Sequence, residues 1–231
     1  MHYLCGKKSL VALLLLIIIS TAAKAQDPKW SNSPKYDDRI LHYGFSIGVG
    51  TSGYKAKLSQ QFLNDTVSYV RPTFSSAFTL GFVVSLRLAE HFDLRLLPTV
   101  GFYERKIDYK FTNTQKTQSI ESTFLEFPLL VKYKSQRRRN TRMYLVAGGK
   151  LSVEAGAKKK EKKRTELRTQ GTDFSIEYGF GFDFYLPLFK FSPELRLSHG
   201  IINVLNPDPN VYSQSISKLT THTLTLYLHF E

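Results

Sequence analysis

The 231-residue chain holds a single cysteine, Cys5, so a disulfide framework and a cysteine-based metal site are both excluded. Acids are scarce: 19 Asp and Glu stand against 32 Lys and Arg, a formal charge of +13. Long apolar runs are missing after residue 19, so no later segment reaches the ~18–20 residues a transmembrane helix needs. Mean hydropathy is only -0.22, which excludes a multi-helix membrane protein but leaves a membrane β-barrel open, because barrel strands are apolar on one face only. Catalytic signatures are missing too. There is no HExxH, no GxSxG and no phosphate-cradling glycine loop between a strand and a helix. His199 and Ser198 are sequence neighbours, so a strand sends them to opposite faces and they form no dyad. Neither a metal nor another cofactor is expected, nor a small-molecule substrate.

What is present begins with a leader. Lys7 and Lys8 precede the uninterrupted apolar run Leu10–Ile19, and Ala23-Lys24-Ala25 offers small residues where a signal peptidase reads them. Residues 1–25 are read as a signal peptide, 26–38 as an N-terminal extension in the periplasm and 39–231 as the barrel. Cleavage removes Lys7, Lys8 and Lys24 and leaves a charge of +10 on a cysteine-free chain.

Beyond residue 40 the period is two, the signature of half-buried strands. Leu41, Tyr43, Phe45, Ile47 and Val49 alternate with His42, Gly44, Ser46, Gly48 and Gly50. Seven more runs follow the same rule, near 74–88, 92–103, 122–133, 143–154, 173–186, 191–200 and 223–230. Short connections at 89–91, 135–141 and 187–188 alternate with long ones at 52–73, 105–119, 156–172 and 203–218. The fold class expected is all-β: an eight-stranded antiparallel transmembrane β-barrel with short periplasmic turns, long extracellular loops and both mature termini in the periplasm. A soluble exported barrel also alternates, but with its apolar face inward. Two features favour the membrane form. Aromatics gather at the short-turn end (Tyr43, Phe92, Tyr133, Phe184, Phe191, Phe230), as an interfacial girdle would. The polar face carries charges of both signs, suited to a lumen ion-pair network of Arg87, Asp93, Arg95, Glu126, Lys150, Glu154, Glu177, Asp183, Glu194 and Arg196. Glu126 is expected to pair with Lys150 or Arg95, and Pro128 to mark a bulge.

The positive excess is local. Residues 132–142 hold six basic side chains and no acid, and residues 158–168 hold seven against two acids. Two hairpins on opposite membrane sides do not make a nucleic-acid surface, and no nucleic-acid partner is expected. Arg137, Arg138 and Arg139 are candidate contacts for an acidic partner. Lys158, Lys159, Lys160, Lys162, Lys163 and Arg164 are candidates for a partner or for outer-membrane lipid.

The segment Arg39-Ile40-Leu41-His42-Tyr43-Gly44-Phe45, the pair Leu86-Arg87-Leu88 and Phe92-Asp93-Leu94-Arg95, and above all the run from Glu121 to Ser135 (ESTFLEFPLLVKYKS) resemble the PorT (SprT) family. That family of outer-membrane barrels serves the type IX secretion system of Bacteroidetes, and looser forms of the run occur in its outer-membrane β-barrel domain superfamily. The resemblance implies a noncatalytic outer-membrane component needed to export proteins with a C-terminal sorting signal, with other secretion-system proteins as partners. It brings no catalytic residues. The alternative is a general structural or adhesin-like barrel.

Overall fold

A computed structural model describes residues 32–33, 36–58, 67–111, 115–155, 170–206 and 216–231. The expected signal peptide lies outside them. The chain forms β1 (Leu41–Leu58), β2 (Val67–Thr73), β3 (Ser75–Arg87), β4 (Phe92–Leu96), β5 (Thr99–Phe111), β6 (Gln115–Lys134), β7 (Thr141–Glu154), β8 (Thr172–Tyr185), β9 (Lys190–Gly200) and β10 (Ile216–Phe230). All pairings are antiparallel, and β1 closes the ring by pairing with both β10 and β3.

Ten segments make eight staves. β4 and β5 are one strand, interrupted where Pro98 has no N–H to give. Leu96 still faces Leu129 and Thr99 still faces Glu126 in one register. β2 and β3 are another, broken at Phe74, with Thr73 opposite Lys106 and Ala77 opposite Tyr103. Pro128 marks no bulge, contrary to expectation: the β6–β7 register runs through it unbroken. Its carbonyl instead accepts from Leu97 N at 3.1 Å, across the gap that Pro98 leaves.

The polarity is inverted relative to a soluble protein. Tyr43 is 77% exposed and Phe82 68%, whereas Arg95, Asp183 and Glu194 are 0% exposed. Apolar side chains point out around the ring, and the charged ones point in. A soluble barrel would bury the apolar face, so this arrangement requires an apolar solvent outside. At the end holding the short turns, Phe45, Phe230, Phe191 and Phe184 lie ring to ring, with centroids 4.8, 5.3 and 6.5 Å apart in that order. Phe92 and Tyr133 continue the girdle at 5.2 Å.

The long connections are shorter than expected. β5 and β6 stay paired out to Lys110 opposite Gln115, so 105–119 is mostly ladder and not loop. β1 likewise runs on to Leu58. Past the bilayer a strand no longer needs an apolar outer face, so the alternation used to find it fades while its hydrogen bonds continue. Residues 156–169 and 207–215 lie outside the described residues.

Candidate functional site

Side chains fill the lumen. Because inward positions recur every second residue on all eight staves, acids and bases far apart in sequence meet there at bonding distance. Lys150 Nζ lies 3.1 Å from Glu126 Oε1 and 3.1 Å from Glu177 Oε1. Arg196 Nη1 reaches Glu177 Oε2 at 3.1 Å, and Arg196 also clasps Glu194 through Nε at 2.8 Å and Nη2. Arg95 then links Glu194 Oε2 at 3.2 Å to Glu231 Oε1 at 2.7 Å, and Lys190 meets Glu231 Oε2 at 2.8 Å. The result is a chain of strictly alternating sign: Glu126, Lys150, Glu177, Arg196, Glu194, Arg95, Glu231, Lys190. Four carboxylates answer four cations, so no net charge is left buried along it.

Two further buried pairs stand beside the chain. Lys132 Nζ touches both oxygens of Asp183 at 2.8 Å, and the Ser192 hydroxyl donates to the same carboxylate at 2.6 Å. Lys134 Nζ meets Asp93 Oδ1 at 2.6 Å. Aromatic rings fill the remaining space: the Lys132 ammonium sits 3.6 Å from the Tyr144 ring centroid and the Arg196 guanidinium 4.2 Å from that of Tyr227. Val83, Leu97, Leu130, Tyr144 and Val146 add a dry cluster inside the lumen.

Of the ten residues expected in the network, Asp93, Arg95, Glu126, Lys150, Glu177, Asp183, Glu194 and Arg196 come together in buried pairs. Arg87 and Glu154 do not. Arg87 sits at the rim, where its guanidinium donates to the Asp37 carbonyl, and Glu154 pairs with no basic side chain among the described residues. Both lie at strand ends, where the inward face opens to water. Glu126 takes Lys150 and leaves Arg95 to Glu194 and Glu231.

Sequence reasoning missed Lys132, Lys134, Lys190 and Glu231 as members. The alternation already placed Lys132 on the inward face, and it could have been included. Lys190 precedes the first apolar position of its run and Glu231 follows the last of its own, and nothing in the pattern marks them.

At the short-turn end, Asn32, Tyr36 and Asp37 are tied to the barrel rim. Asn32 N donates to Asn140 Oδ1 at 2.8 Å, Asn32 Nδ2 to the Tyr185 carbonyl at 3.0 Å, and the Tyr36 hydroxyl to Glu231 at 3.2 Å. Asp37 receives Arg142 at 3.1 Å, Arg137 at 3.4 Å and the Tyr185 hydroxyl at 3.1 Å. Burial alone would raise the Asp37 carboxyl, but Arg142, the Tyr185 hydroxyl and Arg137 outweigh it and hold the group below the usual carboxylate range. The Arg137 guanidinium also lies 3.7 Å from the Tyr185 ring centroid. Of the three arginines singled out for a partner, Arg137 is therefore engaged within the chain, while Arg138 and Arg139 stay exposed. Lys158, Lys159, Lys160, Lys162, Lys163 and Arg164 lie outside the described residues.

The sequence matches the model of one family over residues 24–206. The chain belongs to the outer membrane protein beta-barrel domain family. Its place is the outer membrane, and its architecture is that of an antiparallel barrel with a ring of eight strands. No curated protein matches the sequence.

Among solved structures, OprG of Pseudomonas aeruginosa is similar at 14% identity, over 81% of this chain and 92% of that one, with a TM-score of 0.45. Neisserial surface protein A is similar at 11% identity, over 83% and 98%, with a TM-score of 0.42. Ail, the attachment invasion locus protein of Yersinia pestis, solved with the heparin analogue sucrose octasulfate, is similar at 13% identity, over 83% and 99%, with a TM-score of 0.36.

Proposed function

We propose that this barrel is a noncatalytic component of the type IX secretion system, needed to export proteins with a C-terminal sorting signal. The observation that carries the noncatalytic part is the alternating chain from Glu126 to Lys190. It occupies its eight acids and bases with one another, so none of them stands as an uncommitted general base, and a lumen filled this way has no conduit. What remains for function is the two rims. The secretion assignment rests on the resemblance of Glu121–Ser135 to the PorT family. Within this fold that run is the membrane-crossing half of β6, whose inward residues Glu126, Lys132 and Lys134 each hold a buried ion pair.

The short-turn end, with Asn32, Tyr36 and Asp37 bound at its rim, faces the periplasm in this reading, as short turns do in outer-membrane barrels. Arg138 and Arg139 then present positive charge to an acidic periplasmic partner. Deleting the gene and measuring release of cargo with a C-terminal sorting signal tests the proposal. Cargo is expected to accumulate in the periplasm and to be released again when the wild-type gene is restored. Normal export in the deletion strain, with altered envelope integrity or surface binding, would overturn it in favour of a general structural or adhesin-like barrel.

A further inference from the structure

Two histidines separated by 23 positions in sequence meet on the outer face. His199 of β9 and His222 of β10 are direct cross-strand partners, and both rings point away from the lumen. Their centroids are 4.1 Å apart at an interplanar angle of 79°. Tyr178 of β8 flanks His199 at 6.3 Å, and on the other side His222 faces Gly53 of β1, where an added Cβ would meet the Phe74 ring at 2.9 Å. His222 Nε2 is buried without a hydrogen-bond partner.

The height of the pair matters. Eight positions separate His222 from Phe230 in the girdle, which is roughly 27 Å along a strand and nearer 20 Å along a tilted barrel axis. The pair therefore sits toward the far edge of an apolar band about 25 Å tall, with His199 exposed and His222 half-buried.

We infer that His199 and His222 form a binding site for one divalent transition-metal ion on the outer surface of the barrel. Directly opposed cross-strand residues have Cβ atoms about 4.5–5.5 Å apart. From that separation two imidazoles reach a single ion at about 2.0–2.1 Å. Imidazole selects copper, zinc and nickel over calcium and magnesium, and among these the affinity order favours Cu²⁺. Lys55, close enough to act electrostatically on His222, opposes all divalent cations alike, so the selection among them rests on the imidazoles. No group of three His, Cys, Asp or Glu side chains converges among the described residues, so the site is a two-imidazole one, with water in its other positions.

The probe is Cu²⁺ added to the chelator-stripped full-length barrel in detergent, purified with a tag free of histidine. One ion per barrel is expected, with an electron paramagnetic resonance spectrum showing two equivalent imidazole nitrogens. His199→Ala and His222→Ala should each weaken binding at least tenfold, while His91→Ala, in a turn at the opposite end, leaves it unchanged. Should the alanine variants fail to insert, His199→Asn and His222→Asn carry the comparison. In the wild-type barrel Cu²⁺ should also slow diethyl pyrocarbonate modification of His199 but not of His91. Wild-type affinity in the His199→Ala/His222→Ala double variant, or equal protection of His199 and His91, would overturn the site.

Discussion

Arg196 lies between Glu177 and Glu194 with its guanidinium over the Tyr227 ring, and all three charged side chains are essentially sealed from solvent. A buried charge with its partner removed is far more costly than the pair is valuable. Arg196→Met leaves two carboxylates short of a cation and is expected to lower unfolding stability by about 3–5 kcal/mol. Pairing it with Glu177→Gln removes one of the stranded charges and should recover part of that loss, so the double variant is more stable than the single one. The urea midpoint of the compact, heat-modifiable gel band reads both. Equal midpoints for wild type and Arg196→Met would show that the chain of pairs does not brace the barrel. The same logic gives Glu231 its place. Its carboxylate, next to Phe230 in sequence, is the link between Arg95 and Lys190.

At the scale of elements, the β6–β7 hairpin shows what a charge count misses. Read along the chain, residues 132–142 are six cations without an acid. In the fold Lys132 takes Asp183, Lys134 takes Asp93, and Arg137 and Arg142 share Asp37, so only Arg138 and Arg139 stay exposed. Asp37 is the test of this. Its folded pKa is below the unfolded value of about 3.9, so its stabilisation is complete above that value and lost as pH falls through the folded one. Discounted for solvent screening, the interaction contributes about 1 kcal/mol. At neutral pH Asp37→Asn should make tryptic cleavage at Arg39 roughly fivefold faster, a ratio that matches that energy. Under pepsin the variant and wild type should converge toward the acid end. Indistinguishable cleavage at neutral pH would mean that the carboxylate does not hold its segment at the rim. The strands themselves were legible, because an apolar solvent outside forces one residue in two to be apolar, from Leu41 to Phe230. Strand ends were not, because that constraint stops at the bilayer surface while β1 and β6 continue past it. Nor were the pairs or the facing histidines. Alternation tells which face a side chain takes, but partners such as Arg95 and Glu194 are 99 positions apart and meet only through strand order and register.

For the whole molecule, the decisive property is that the lumen is filled along its polar chain and by the Val83, Leu97, Leu130, Tyr144 and Val146 cluster. An eight-stranded ring is only wide enough for its own side chains, so closure follows from strand number as well as from charge. Reconstituted in a planar bilayer, the wild-type barrel is expected to show no steady ionic current. Removing three large side chains from the lumen, by Arg95→Ala, Arg196→Ala and Tyr144→Ala together, should open a narrow path. The sign of its selectivity is set by what stays behind. With both guanidiniums gone, Glu126, Glu177, Glu194 and Glu231 outnumber Lys150 and Lys190, so the opened lumen should pass cations in preference to anions. Reversal potentials in a salt gradient measure this directly. A steady current through the wild-type barrel would contradict the closed lumen, and with it the argument that function resides at the rims. Anion preference in the triple variant would mean that the carboxylates freed of Arg95 and Arg196 do not line the path.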